Sequence, residues 1–195
     1  MEFKKYNHLK EEKKVSNFWI KKGSFKPKKG KSKNTFSIVI PPPNITGRLH
    51  MGHALNNSLQ DVLVRFNRMK GLETLWQPGT DHAGIATQAL VEKKLENEGT
   101  NKNDLGREKF IQKVWDWKNQ YGDIIINQLK KLGCSCDWSR NAFTMDENLS
   151  KSVIKVFVEL HKKKLIYKAE KLVNWDTVLK TAISDLEVDQ REMNS

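Results

Sequence analysis

Three consecutive prolines at positions 41–43 constrain the fold of this chain more than any other sequence feature. They follow directly on residues 35–40, an apolar and β-branched run that predicts a buried parallel strand. Because proline has a fixed φ and no amide proton to donate, the strand must end there in a rigid turn. Ligands of open α/β sheets bind beyond the carboxyl ends of the strands, so we expect a functional site just after the prolines.

The segment after the prolines predicts a helix and then a second strand. Apolar residues from Leu55 to Met69 recur at steps of four and three, which predicts an amphipathic helix with Gly71 as its stop. Residues 73–76 predict a strand, and residues 85–98 predict another helix. A strand, a helix and a strand in this order form a βαβ unit, whose strands are parallel by default. The predicted fold class is therefore α/β.

The flanking segments are predicted to be mostly helical. Residues 10–22 predict a short helix that a lysine- and glycine-rich linker follows. A long helix is predicted over residues 110–132, up to a glycine, and a further helix over residues 153–160. Two short apolar runs, residues 165–167 and 172–175, predict strands of a small β structure.

The net charge of +12 favours polyanionic partners, among them nucleic acid, nucleotides and anionic membranes. Charge alone does not choose among these partners. Much of the excess comes from dispersed lysines and from the run at residues 21–33, so a solvated basic face is the alternative explanation.

The two cysteines, Cys134 and Cys136, indicate a reducing compartment. Their spacing is too short for a zinc knuckle and their number too small for a disulfide framework, so we predict ordinary buried or partly buried thiols. The sequence has no apolar run long enough to cross a bilayer and no signal peptide before residue 14. We therefore predict a cytoplasmic chain that does not associate with membranes.

The residues after the prolines include a pair of histidines suited to phosphate. His50 and His53 lie three residues apart in the predicted first turn of a helix, on one face, beside unpaired N–H groups and the positive end of the helix dipole. Gly52 between them would let a flat ring approach the backbone. Two other readings stay open: polar residues that only start a helix, or two ligands of a metal, with His82 as the nearest third ligand.

Residues 41–55, Pro-Pro-Pro-Asn-Ile-Thr-Gly-Arg-Leu-His-Met-Gly-His-Ala-Leu, resemble the signature of the class I aminoacyl-tRNA synthetases in the form typical of the valyl enzymes. Residues 76–88, Trp-Gln-Pro-Gly-Thr-Asp-His-Ala-Gly-Ile-Ala-Thr-Gln, resemble the matching valyl block. Shorter similarities lie at residues 105–110, 136–140 and 182–188. The likeness covers nearly the whole chain.

This resemblance implies activation of valine by ATP, with Mg2+ accompanying the nucleotide, and transfer of valine to tRNA(Val). His50 and His53 would be the catalytic residues. These two histidines, together with Gly52 and Thr46, would bind ATP. Histidines that donate hydrogen bonds could stabilise the charge that develops on a transferring phosphoryl group.

The resemblance also implies a valine site made by Pro42, Asn44 and Asp81. A carboxylate at the end of a strand can pair with the ammonium of the amino acid, and a proline ring gives a stiff apolar wall. For Asp81, an N-cap of the helix that follows is the alternative. His82 is equally compatible with a purely structural hydrogen-bonding role.

The family further implies a longer, monomeric enzyme of which this chain is the N-terminal part, so we expect the chain alone to be incomplete or inactive. We expect an N-terminal helix and basic arm over residues 1–34, the first half of a Rossmann-like parallel-sheet catalytic domain with a helical insertion over 35–170, and over 171–195 the start of a connection into an editing insertion. No structural zinc is expected, because residues 176–180 lack the cysteines that some relatives have there. A non-catalytic nucleotide- or RNA-binding remnant is the alternative function, and a nucleotidyltransferase of the wider superfamily is a third.

Overall fold

The computed structural model describes residues 5–28 and 34–192. Residues 1–4, 29–33 and 193–195 lie outside this description, and with them part of the predicted basic linker and the last residues of the chain. The helices are α1 (His8–Lys22), α2 (Met51–Met69), α3 (Gly84–Asn97), α4 (Lys102–Leu105), α5 (Arg107–Leu132) and α6 (Glu147–Lys162). The strands are β1 (Thr35–Val39), β2 (Glu73–Gln77), β3 (Gly79–Thr80), β4 (Ala142–Phe143), β5 (Asn174–Asp176) and β6 (Thr181–Ile183).

The predicted βαβ unit is confirmed. Strand β1 pairs in parallel with β2, from Thr35 opposite Glu73 to Val39 opposite Gln77, and α2 connects the two strands. After β1, Ile40 continues the ladder by donating its N–H to the Gln77 carbonyl at 3.0 Å, and the prolines then end it. The proline turn therefore begins at the carboxyl end of β1, as the sequence predicts.

A second parallel pair brings distant segments to the same edge. Strands β3 and β4 pair with Gly79 opposite Ala142 and Thr80 opposite Phe143. One residue further along the chain, Asp81 forms a parallel bridge with Asn44. The segments that follow β1, β3 and β4 consequently lie side by side.

The predicted helices are present, and glycines end two of them. Helix α1 starts where the Asn7 side chain accepts the Lys10 N–H at 3.2 Å, and it ends at Gly23 with φ of 63°. Helix α5 ends at Gly133, where φ is 87°. Only glycine adopts such left-handed conformations without a steric penalty on a side chain, so these residues act as helix stops.

The core of the first unit packs α2 and α5 against the β1–β2 sheet. Val64, Trp76, Ile125 and Leu129 have no exposed surface. Around them pack the remaining buried apolar residues, Ile40, Ile45, Cys134, Cys136 and Phe143. Burying apolar side chains of this size stabilises the fold by roughly 1.5–3 kcal/mol each.

The predicted buried thiols are confirmed, because Cys134 and Cys136 are both buried and free. Burial raises the pKa of Cys134 to about 12, and the nearby Asp61 carboxylate adds to the shift. The pKa of Cys136 is raised as well, by burial first and by Cys134 second. Both side chains therefore remain neutral thiols and pack as small apolar residues.

Two details of the predicted fold are wrong, and the exposure of α2 was not predicted at all. The apolar stripe of α2 is exposed, with Leu59 at 62% and Phe66 at 56%, because the helix turns its Asn57 and Val64 face inward. Strand β1 is not buried throughout, since it alternates and Val39 is 70% exposed. Residues 165–167 do not form a strand, because no described backbone segment pairs with them.

The described residues divide into two compact units, one up to Lys151 and one from Ser152 onward. In the second unit, β5 and β6 form an antiparallel pair with Trp175 opposite Ala182. The Asp176 carboxylate holds the turn after β5 by accepting N–H groups from Val178 and Leu179 at 2.8 and 2.7 Å. The predicted strand at 172–175 is thus present only in part, since β5 starts at Asn174. No helix in the described ranges is long and apolar enough to span a bilayer.

Candidate functional site

A cavity of about 460 Å3 lies where the proline turn meets the first turn of α2. Its lining includes six of the residues that the sequence predicts to bind substrates: Pro42, Asn44, Thr46, His50, Gly52 and His53. Asp81 does not line this cavity, but its backbone pairs with Asn44 at the edge of the same turn.

Backbone hydrogen bonds fix the distance between Asp81 and the proline turn. The Asp81 N–H donates to the Pro43 carbonyl at 2.9 Å, and the Ile45 N–H donates to the Asp81 carbonyl at 3.0 Å. These two bonds form a short parallel pairing between the residue after β3 and the segment that follows the prolines. Asp81 is therefore held at one end of the turn whose other end leads into α2.

The two histidines of α2 cap the helix reciprocally. His50 is the N-cap, and its Nδ1 accepts the Gly52 N–H at 3.1 Å. His53, in the first turn, accepts the His50 N–H on its own Nδ1 at 3.2 Å. The two ring centroids are 4.0 Å apart, with the ring planes inclined by 49°. This arrangement corresponds to the capping box that serine and glutamate form at other helices.

The caps determine which nitrogen of each ring carries the proton. A ring nitrogen that accepts a hydrogen bond has no proton, so each neutral ring must carry its proton on Nε2. Both histidines therefore present Nε2–H donors, which suit the oxygens of an anion. The alternative of a metal site fits poorly, because a metal ligand must offer a nitrogen lone pair, and the Nδ1 lone pairs are used in the caps.

His53 is also kept uncharged by its surroundings. Partial burial lowers its pKa below the ordinary 6.5, and the neighbouring His50 lowers it further. Near neutral pH, His53 is consequently a neutral hydrogen-bond donor. A neutral donor does not need a counter-ion when no anion is bound.

Gly52 makes room for the His50 ring. A Cβ at this position would lie 2.8 Å from His50 Cε1 and 3.0 Å from His50 Nδ1, which is closer than a real Cβ approaches other atoms. The sequence suggests that a flat ligand ring approaches the backbone here. In the structure, the ring that needs the space is the side chain of the neighbouring histidine.

The expectation of unpaired N–H groups in this first turn is wrong for two residues. The Gly52 N–H donates to His50 Nδ1, and the His53 N–H donates to the His50 carbonyl at 3.0 Å. The caps satisfy these donors, so the rings rather than these two amides are the groups offered to an anion.

The Asp81 side chain is about one-third exposed and is held by its neighbours. Its Oδ1 accepts a hydrogen bond from the Thr144 hydroxyl at 2.9 Å, and His82 Nδ1 lies 3.3 Å from the same oxygen. The alternative of an N-cap is wrong, because α3 begins at Gly84, its N-cap is Ala83, and no side chain caps it.

The sequence does not reveal three residues that hold this region together. Trp117 donates its Nε1–H to the Ile45 carbonyl at 2.8 Å, and Gln128 accepts the Leu49 N–H at 3.0 Å. Both lie on α5 and fix the segment between the proline turn and α2. Thr144, after β4, contacts Asp81 and His82. These partners lie more than 60 residues from the residues they contact, and no local pattern signals such pairings.

A parallel α/β unit in which a proline turn leads into a helix capped by two histidines agrees with the class I aminoacyl-tRNA synthetase that the sequence resembles. The sequence model of the family described as tRNA synthetases class I (I, L, M and V) matches residues 14–195. The chain belongs to this family.

Within the family, the chain is similar to valine–tRNA ligases. It is 75% identical to the ligase of Pelagibacter ubique, over 98% of this chain and 22% of the relative. It is 69% identical to the ligase of Bradyrhizobium diazoefficiens, over 81% of this chain and 17% of the relative. The chain thus spans about a fifth of the length of the curated relatives it matches. Its fold is similar to that of LeuRS in a crystal structure of a ternary LeuRS–tRNA–LeuAMS complex from Agrobacterium radiobacter. The TM-score is 0.77 at 23% identity, over 95% of this chain and 22% of that one.

Proposed function

We propose that this chain contributes the valine and ATP sites of a valine–tRNA ligase. In the proposed reaction, a carboxylate oxygen of valine attacks the α-phosphorus of ATP, and the bond to pyrophosphate breaks. A hydroxyl at the 3' end of tRNA(Val) then attacks the carbonyl carbon of the adenylate, and AMP leaves. The observation that carries this proposal is that two Nε2–H donors and a carboxylate lie at opposite ends of one rigid turn.

The histidine end of the turn suits ATP. His50 and His53 would donate from Nε2 to phosphate oxygens, and these bonds strengthen as negative charge builds up on the oxygens during transfer. Because the caps fix both rings, little reorganisation is needed when the nucleotide binds. Thr46 and Gly52 line the same cavity and complete the proposed ATP site.

The carboxylate end of the turn suits the ammonium of valine. Asp81 would pair with the ammonium, and the exposed ring of Pro42 would form a wall for the isopropyl group. Asn44 pairs with Asp81 in the backbone bridge. With the ammonium at Asp81, the valine carboxylate would face the histidines, where the α-phosphate would be.

The remaining partners follow from charge and donor chemistry. The net charge of +12 supports tRNA as the polyanionic partner. Mg2+ would bind through the phosphates of ATP, because the histidine end of the cavity offers N–H donors rather than lone pairs. The buried free thiols are compatible with a cytoplasmic enzyme, which we also propose.

Valine-dependent exchange of pyrophosphate into ATP, measured with a purified full-length enzyme that contains this chain, tests the proposal. His53→Gln keeps an acceptor that can cap α2 but lacks the ring N–H, so we expect the rate to fall by about 100-fold. His161→Gln, at an exposed histidine of α6, is the matched control and should leave the rate unchanged. ATP binding without any valine-dependent exchange would support the non-catalytic remnant instead.

Asp81→Ala separates the two ends of the site. We expect KM for valine to rise by roughly 10- to 100-fold while KM for ATP stays within about twofold, because the carboxylate pairs with the ammonium and not with phosphate. Equal increases in both constants would contradict the role proposed for Asp81.

A further inference from the structure

A single hydroxyl group, that of Thr144, connects the two polar side chains that follow β3. It donates to Asp81 Oδ1 at 2.9 Å, accepts the His82 backbone N–H at 2.9 Å, and lies 2.7 Å from His82 Nδ1. Three polar contacts within 3 Å use all the hydrogen-bonding capacity of one hydroxyl group.

The backbone explains why Thr144 reaches this place. Strands β3 and β4 pair in parallel, and the Thr144 N–H continues the ladder by donating to the Thr80 carbonyl at 3.2 Å. The Asp146 carboxylate then accepts the Phe143 N–H at 2.8 Å and turns the chain away. Thr144 is thus the last residue beside the end of β3, and its side chain replaces the backbone ladder there.

A count of protons assigns the tautomer of His82. The Thr144 hydroxyl has one proton, and the ionised carboxylate of Asp81 has none. Because the hydroxyl oxygen and Asp81 Oδ1 are 2.9 Å apart, the hydroxyl proton must lie between them. The hydroxyl can then only accept from His82, so Nδ1 must carry a proton. His82 is therefore the Nδ1–H tautomer, opposite to His50 and His53, which carry their protons on Nε2.

We propose that Thr144 is a positioning residue for the amino acid substrate. Through its hydroxyl it holds Oδ1 of Asp81 and the ring of His82, which leaves Oδ2 of Asp81 oriented toward the ammonium of the substrate. This inference rests on the proposed function, in which Asp81 binds that ammonium. In this role Thr144 does not contact the substrate, but it orients the Asp81 carboxylate that binds the ammonium.

Kinetics of valine-dependent ATP–pyrophosphate exchange test the role of the hydroxyl. Thr144→Val keeps the shape and removes the hydroxyl, so KM for valine should rise by about tenfold while KM for ATP stays within about twofold. Thr144→Ser keeps the hydroxyl and should restore KM to within about threefold of the original value. Thr74→Val is the matched control, since that hydroxyl donates only to the Leu72 carbonyl, and it should change neither constant.

A double-mutant cycle with Asp81→Ala separates the inference from the proposed function. If Thr144 acts through Asp81, Thr144→Val should add no more than about a twofold change in KM for valine once Asp81 is alanine. A strong effect of Asp81→Ala without an effect of Thr144→Val would overturn the inference alone. No effect of Asp81→Ala on valine would overturn the proposed function as well.

Nitrogen NMR of the histidine rings gives a readout that does not depend on activity. In the unchanged protein near neutral pH, the His82 ring should show the proton on Nδ1, and the rings of His50 and His53 should show it on Nε2. Thr144→Val should remove the preference at His82 and leave the other two rings unchanged. A proton on Nε2 of His82 in the unchanged protein would overturn the inference, whatever the kinetics show.

Discussion

The lack of a side chain at Gly52 lets two histidine rings share the first turn of α2. Alanine here would favour the helix by about 1 kcal/mol over glycine. Its Cβ, however, would lie 2.8 Å from the His50 ring, so the ring must rotate away and give up its bond to the Gly52 N–H. The higher helix propensity of alanine would stabilise α2, whereas the clash with the His50 ring would remove a cap and change the candidate site.

We expect Gly52→Ala to lower the valine-dependent exchange rate by at least about tenfold without raising Tm, because the displaced His50 ring no longer points its Nε2–H at the cavity. In a His50→Ala background the clash is absent, so the same substitution should raise the free energy of unfolding by up to about 1 kcal/mol. Equal stabilisation in both backgrounds would show that the ring does not need the space.

The site residues illustrate how far the sequence alone reaches. The places of His50, His53 and Asp81 in the fold could be predicted, because they lie in continuous motifs at the ends of predicted elements. Their surroundings could not, because Thr144 meets Asp81, and Gln128 meets Leu49, only after parallel pairing and helix packing bring distant segments together. The protonation of the rings depends on those partners and on the caps, and it became apparent only from distances.

At the scale of elements, the start of α2 depends on pH through His53. An imidazolium has no lone pair on Nδ1 and cannot accept the His50 N–H, so protonation breaks this cap. The pKa of His53 is lower in the folded protein than the ordinary 6.5, so the unfolded chain binds more protons in this window. Stability from this group is therefore complete above about pH 6.5 and is lost as pH falls through the lowered pKa.

Hydrogen exchange in the first turn of α2 should therefore become faster below about pH 6.5, after correction for the intrinsic rate, by an amount equivalent to about 0.5–2 kcal/mol for a lost cap. In His53→Gln, which cannot titrate, this part of the pH dependence should disappear. If the first turn opens with the same pH dependence in both proteins, the cap on His53 does not respond to protonation.

Helix α1 is held to the rest of the first unit by contacts between aromatic rings and guanidinium groups. Trp19 and Phe25 have ring centroids 5.5 Å apart, and the Arg65 guanidinium lies 5.2 Å from the first ring and 5.9 Å from the second. Arg68 lies 5.4 Å from the Phe25 ring and also binds the Ser135 carbonyl at 2.7 Å. These contacts connect α1 to α2 and to the loop after α5.

Phe25→Leu should loosen α1 locally, because leucine keeps apolar contact but removes the ring under both guanidinium groups. We expect faster hydrogen exchange and proteolysis in α1, equivalent to about 1–2 kcal/mol, with a smaller change in Tm. Phe18→Leu is the matched control, since this phenylalanine of α1 is 57% exposed. The same loosening in both variants would show that the Phe25 ring does not hold the helix.

A hydrophobic pattern predicts where helices form, but it does not predict which of their faces are covered. The periodic apolar residues and glycine stops predict α2 and α5 because they depend only on local geometry. The exposure of Leu59 and Phe66 could not be predicted, because amphipathicity shows which face is apolar and not whether another part of a protein covers it. Residues 165–167 have a β-rich composition, but a strand also needs a partner, which composition does not provide.

At the scale of the whole molecule, the charge of +12 should govern association with tRNA, the partner that we propose. Each phosphate that a lysine or arginine neutralises releases condensed counter-ions, so binding weakens as salt rises. We expect the affinity for tRNA(Val) to fall by more than about tenfold between roughly 50 and 200 mM salt. KM for valine should change far less, because one partly shielded ion pair releases no condensed counter-ions.

Two exposed lysines of the second unit, Lys163 and Lys168, allow the electrostatic origin to be tested. Replacing both with glutamine should weaken tRNA binding. The slope of the logarithm of the binding constant against the logarithm of the salt concentration should fall in magnitude by about one for each phosphate that is no longer neutralised. Lys102→Gln is the control, because the Lys102 ammonium forms an ion pair with the Glu92 carboxylate at 2.9 Å, which partly neutralises its charge. An affinity for tRNA that does not change with salt would contradict the electrostatic origin. If Lys102→Gln lowers the slope by half as much as the double substitution, net charge rather than the position of the two lysines controls binding.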